Sequence, residues 1–110
     1  MSSFYDSLET RSTDERAAWL ATALPEQVAR ARALSGYAAT LADVDPGSIT
    51  GAEALATLPV LRKSDLGAAQ QVAAPFGGFT TRAANGFAHV FQSPGPIYEP
   101  GGLEHDWWRL

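Results

Sequence analysis

Ser93 and Tyr98 carry the only hydroxyls of a loop dense in glycine and proline, Ser93-Pro94-Gly95-Pro96-Ile97-Tyr98-Glu99-Pro100. An apolar run with two aromatics and a β-branched valine, Phe87-Ala88-His89-Val90-Phe91-Gln92, leads into it. A helix-compatible segment, Leu103 to Leu110, follows it. Strand, Gly/Pro loop and helix start together form the layout of a site for an anionic group, where loop N–H groups and the helix dipole receive phosphate or carboxylate. The loop contains no lysine, and Pro94 and Pro96 have no N–H to donate. It therefore has the outline of a phosphate loop and lacks much of its chemistry.

Each candidate in the loop has two readings. Ser93 can touch a phosphate or bond to nearby backbone. Gly95 can admit a ligand closely or supply a positive φ to a turn. Tyr98 and Glu99 can form a pocket edge or a solvated loop edge. Beyond the loop, His89 lies between Ala88 and Val90 and reads as a half-buried strand side chain. Glu104-His105-Asp106 has ligand-type side chains, but neighbours on a helix point in different directions and share no face, so no metal site is expected. Arg62 and Lys63 read as a solvated cationic pair beside a helix start. Trp107 and Trp108 are large enough to require a surface to pack on. No catalytic residue is expected among these.

The elements that would position these residues begin with Ser12-Thr13-Asp14-Glu15, which has the spacing of a capping box with Ser12 as cap. Leu20, Leu24, Val28, Ala31 and Leu34 then recur at helical spacing. Glu26 and Arg30 stand four apart, in the favourable order for an ion pair. Pro25 interrupts the run and predicts a kink, or two helices in series. Gly36 marks a helix end, and Tyr37 to Ala42 a further turn or two. Asp43 to Ser48 is a turn by composition. Thr50 to Glu53 repeats the capping-box spacing before a short helix, Ala52 to Thr57. Leu58 to Leu61 is extended around Pro59. Ser64 is a cap for a helix over 65–72. Pro75-Phe76-Gly77-Gly78-Phe79 reads as a loop whose aromatics must pack. Asn85-Gly86 is a hairpin signal, so 79–82 are expected to pair with 87–92.

Composition narrows the classes. The chain has 110 residues, a net charge of −4 and no cysteine. Its eight Lys and Arg are scattered, which argues against nucleic acid as a partner. It has no apolar run of membrane-spanning length. The start, Met1 to Asp6, lacks the basic and apolar regions of a signal peptide. With no cysteine for disulfides, a cytoplasmic location is expected.

Four segments occur in an order that resembles the phenylacetate-CoA ligase family of AMP-forming, adenylate-forming enzymes. Ser12 to Leu34 is similar to that family's first helix. Val44-Asp45-Pro46-Gly47-Ser48-Ile49, with Leu55 to Leu66, resembles its V-D-P…I…L..LP…K.DL segment. Pro75-Phe76-Gly77-Gly78 resembles its P-F-G segment. Val90 to Pro100 occupies the place of its nucleotide phosphate loop, S-S-G-T-T-G-x-P, with Ser93 and Gly95 matching and Pro100 at the closing position. Where that family has Thr-Thr-Gly, this chain has Pro96-Ile97-Tyr98. The likeness covers nearly all of the chain, but only about the first quarter of such a ligase. The family's adenine-binding segment, ribose-binding acid, hinge and C-terminal lysine have no counterpart in these residues.

The resemblance implies an enzyme that uses ATP and magnesium to make an acyl-adenylate and then transfers the acyl group to coenzyme A. The expected fold is mainly α with a short β-hairpin or strand near the C-terminus, the N-terminal helical part of an α/β adenylate-forming ligase domain. Residues 1–110 are read as one N-terminal segment: helical over 12–72, strand and degenerate phosphate loop over 79–102, and a truncated helix over 103–110. The chain alone is expected to be inactive and to hold no cofactor. Its expected partner is the remainder of a ligase domain, a separate ligase-like chain, or a second copy met through the C-terminal aromatic surface. The alternative to a ligase segment is a free-standing interaction module of a split enzyme. A third reading is a small ligand-binding domain that uses the aromatic loop.

Overall fold

A computed structural model describes residues 3–102. The Leu103–Leu110 helix, Glu104-His105-Asp106, Trp107 and Trp108 lie outside the described residues. The fold is mainly helical, with an antiparallel two-stranded hairpin near its C-terminal end. The helices are α1 (Thr13–Arg32), α2 (Ala52–Leu55) and α3 (Lys63–Val72), and the strands are β1 (His89–Ser93) and β2 (Ile97–Gly101). No helix among the described residues is long and apolar enough to cross a membrane. The chain divides into two compact units, one of residues up to 30 with 43–58, the other of 31–42 with the chain from 59 onward.

In the first unit, local side-chain caps set the boundaries. Asp6 accepts from the Leu8 N–H at 2.9 Å and starts a 3₁₀ turn, Ser7–Thr10. The Ser12 box then forms as its spacing predicts. The Ser12 hydroxyl accepts from the Glu15 N–H at 3.1 Å, and the Glu15 carboxylate accepts from the Ser12 N–H at 2.8 Å. Arg11 lies over the Trp19 ring at 5.2 Å, a cation–π contact across the helix start. Leu20 and Leu24 are half-buried and Val28 is buried, so this part of the apolar stripe is the inward face of α1. Arg30 donates to Gln27 at 2.7 Å rather than pairing with Glu26. Further on, Asp45 caps the 3₁₀ turn Pro46–Ser48 by accepting from the Gly47 N–H at 3.1 Å. The Thr50–Glu53 box does not form: Gly51 is the cap of α2 and no side chain bonds there.

Pro25 does not split the first helix. α1 runs from Thr13 to Arg32 as one element with Pro25 inside it. One missing donor is outweighed by a long run of good helix formers, Ala, Leu, Glu, Gln and Arg, on both sides.

The second unit is built on α3, the hairpin and a glycine contact. Gly36 donates to the Gly78 carbonyl at 2.9 Å. A Cβ at Gly36 would meet the Phe79 ring at 2.7 Å, and one at Gly78 would meet Ser35 and the Gly36 nitrogen at 3.0 Å or closer. Gly78 also has φ +82, a conformation that L side chains rarely adopt. The missing side chains thus let Phe79 lie against the 34–37 turn and meet Tyr37 edge-on at 4.7 Å. Phe76 is buried and meets Phe87 edge-on at 5.6 Å. These contacts answer the expectation that the Phe76 and Phe79 rings must pack.

The predicted hairpin across Asn85-Gly86 is replaced by another. Ala84–Gly86 is a 3₁₀ turn, closed by Gly86 N–H to Ala83 O at 2.9 Å. Arg82 donates to the Gly86 carbonyl at 3.3 Å and stacks over Phe87 at 5.5 Å, so 79–82 are turned away from strand pairing. The hairpin lies one segment later, with Ser93 opposite Ile97 and His89 opposite Gly101.

Two substitutions test this description. Pro25→Ala is expected to stabilise the chain by roughly 1–3 kcal/mol, because it restores a helix donor. Gly78→Ala is expected to destabilise it by about 2 kcal/mol, from the left-handed backbone and the clash. Urea denaturation followed by circular dichroism reads both.

Candidate functional site

The site begins with α3, which starts at Lys63 behind an extended Arg62. Ser64 is not its cap but its second residue, and no side-chain bond closes that end. Asp65 lies in the first turn, where its charge suits the dipole. Leu66, Gly67, Ala69 and Gln70 are the residues α3 turns inward. Gly67 leaves room for Ile97, whose Cδ1 would lie 3.2 Å from an added Cβ. Ile97 is 2% exposed and anchors β2 on the helix.

Gln70 makes the second connection. It is 6% exposed, and its amide grips the main chain of Tyr98 at both polar groups. Tyr98 N–H donates to Gln70 Oε1 at 2.9 Å, and Gln70 Nε2 donates to Tyr98 O at 2.9 Å. The side chain therefore acts as one residue of an extra strand. It also satisfies a buried amide that would otherwise cost on the order of 1–3 kcal/mol per unpaired group.

These two anchors hold the turn Pro94-Gly95-Pro96 beside the start of α3. The expected loop between a strand and a helix is thus a β-hairpin turn: Ile97, Tyr98, Glu99 and Pro100 continue as strand β2. Gly95 has φ +152, and a Cβ there would meet Ile97 Cγ1 at 3.0 Å. Between the turn and α3 lies an open cleft of about 540 Å³. Lys63, Ser64 and Gln71 give it polar groups, Gly67, Ala68 and Ile97 an apolar floor, and Pro94 and Gly95 one wall.

The sequence-predicted site residues fall in different places. Gly95 lines the cleft. Ser93 is half-buried at the end of β1, opposite Ile97. Tyr98 and Glu99 are half-buried in β2, opposite Gln92 and Phe91, and Pro100 is opposite Val90. His89 is exposed rather than half-buried, its ring 5.8 Å from that of Phe91. Sequence reasoning missed Lys63 as the cation beside the turn, because it starts α3, an element distant in sequence from Pro94-Gly95-Pro96. It also missed Gln70. Its signal was a polar residue four positions after Leu66, on the stripe that the helix buries.

The turn does not fit the phosphates of ATP by itself. Of Pro94, Gly95 and Pro96, Gly95 alone has an N–H, and a phosphate nest needs several in succession. Among the described residues, no three His, Asp or Glu side chains gather closely enough to hold a metal ion. No protein-family model, curated protein or solved structure matches the chain.

Gln70→Leu keeps the volume and removes both bonds to Tyr98. It is expected to cost about 2 kcal/mol, with faster amide hydrogen exchange at Tyr98. Denaturation and exchange measured on the same sample check the two effects.

Proposed function

We propose that this chain is the N-terminal segment of a phenylacetate-CoA ligase-like, AMP-forming acid–CoA ligase, and that it is inactive alone. The observation that carries the reading is the convergence on α3 of three segments that resemble that family. Lys63-Ser64-Asp65-Leu66 forms the first turn of α3. Pro75-Phe76-Gly77-Gly78 packs against its later part, where a Cβ at Gly77 would lie 3.1 Å from Ala69. The phosphate-loop-like segment is the hairpin held by Gln70 and Ile97. Segments far apart in sequence that share one helix are what a common site requires.

Exposed apolar side chains support the segment reading further. Val60 is 84% exposed and Val72 90%, surface that the rest of an α/β ligase domain would cover. The same exposure suits the second reading, a module that docks on a separate ligase-like chain as part of a split enzyme. In either case ATP, magnesium and coenzyme A belong to the assembled ligase, since the turn alone lacks the donors to hold phosphate. A cytoplasmic location goes with this reading and with the cysteine-free composition.

Titration of the isolated chain with MgATP is expected to give no binding heat. Stoichiometric binding at about micromolar affinity would overturn the segment reading. The coding DNA beyond codon 110 separates the two forms of the proposal. The same frame continuing into a ligase body supports a segment, and a separate downstream frame encoding that body supports a split enzyme. Co-expression of chain and body is expected to give acid-dependent AMP and CoA-thioester formation. Neither frame encoding such a body would overturn both.

A further inference from the structure

We infer that the outer edge of β1 is a pairing surface for a second copy of this chain, joined antiparallel with Val90 opposite Gln92 of the other copy. The inference does not rest on the ligase reading; it follows from which main-chain groups of the hairpin point outward. In an antiparallel pair, facing residues alternate between those that exchange N–H and C=O bonds and those whose groups point away. Gln70 bonds both main-chain groups of Tyr98, so these groups point away from β1. Tyr98 faces Gln92, hence Gln92 N–H and C=O point outward on the opposite edge. The pair two residues along, Val90 and Pro100, has the same phase. Pro100 fits that phase, since its missing N–H would have faced outward and leaves the inner ladder intact.

The two edges of the hairpin therefore differ. β2 is closed, by Gln70 at Tyr98 and by the absent donor at Pro100. β1 is open: Val90 is 47% exposed, Gln92 is exposed, and among the described residues neither has a hydrogen-bond partner on that side. β1, His89-Val90-Phe91-Gln92-Ser93, also has no lysine, proline or bulge of the kind that blunts natural edges.

A second copy fits this edge in both hydrogen bonding and charge. About a two-fold axis at position 91, Val90 faces Gln92 of the other copy, and the reverse pair completes the contact. Both residues have outward donors and acceptors, so both pairs are of the bonded type. His89 then faces Ser93, and no acid or unshielded like charge meets its own kind. The result is a four-stranded sheet whose outermost strands are the two closed β2 strands, so growth stops at the dimer.

Light scattering and sedimentation of the full chain over a wide concentration range test this. The wild type is expected to dimerise, with Val90 and Gln92 amides gaining exchange protection as concentration rises while the Phe91 and Ser93 amides stay as they were. Val90→Pro or Gln92→Pro removes one outward donor per copy and no inner-ladder donor. Each is expected to raise the dissociation constant about tenfold or more. A charge pair keeps the test independent of proline. Val90→Lys/Gln92→Lys and Val90→Glu/Gln92→Glu chains should each be monomeric and should pair when mixed. A wild type that is monomeric throughout would overturn the inference, as would a dimer indifferent to all these variants. A monomer that instead takes up a separate ligase body along β1 would also overturn it and assign the edge to that partner.

Discussion

A two-stranded hairpin has little independent stability in water. Here its polar anchor on α3, beside the buried Ile97, is one amide: the Gln70 side chain accepts from Tyr98 N–H and donates to Tyr98 C=O, both at 2.9 Å. Several consequences follow from that contact. It fixes the phase of the hairpin ladder and closes the outer edge of β2. It sets Ile97 into the space left by Gly67, and it brings the Pro94-Gly95-Pro96 turn beside Lys63 and Ser64. The cleft, and the difference between the hairpin's two edges, are results of one buried polar side chain finding both of its partners.

Glycine makes the complementary contribution. Gly36 and Gly78 meet through a main-chain bond at 2.9 Å because neither has a side chain to hold them apart. The Phe79 ring fills the space against Gly36, and Phe76 is buried nearby in sequence. Phe76, Leu41 and Ile97 are the buried large apolar side chains of their unit among the described residues. This core is modest beside the exposed valines at 60 and 72. A ligase segment and a docking module both need such a balance: enough local packing to hold the shape, and apolar surface left for another body.

What the sequence by itself determined is whatever depends on neighbours a few positions apart. The Ser12–Glu15 box was legible because both bonds close within three residues. The Leu20–Leu24–Val28 stripe was legible because helical periodicity is local. Where two local signals competed, sequence alone could not rank them. Asn85-Gly86 and Pro94-Gly95-Pro96 are both turn signals; Arg82, by bonding Gly86 and stacking on Phe87, made the first a 3₁₀ turn and left the hairpin to the second. Only tertiary structure decided the site: that Lys63 stands beside the turn, that Ile97 to Gly101 is strand and not loop, and that Gln70 faces inward. The physical reason is that each depends on a partner distant in sequence, Gln70 and Tyr98 being 28 residues apart, and no local propensity encodes which distant group a side chain will meet.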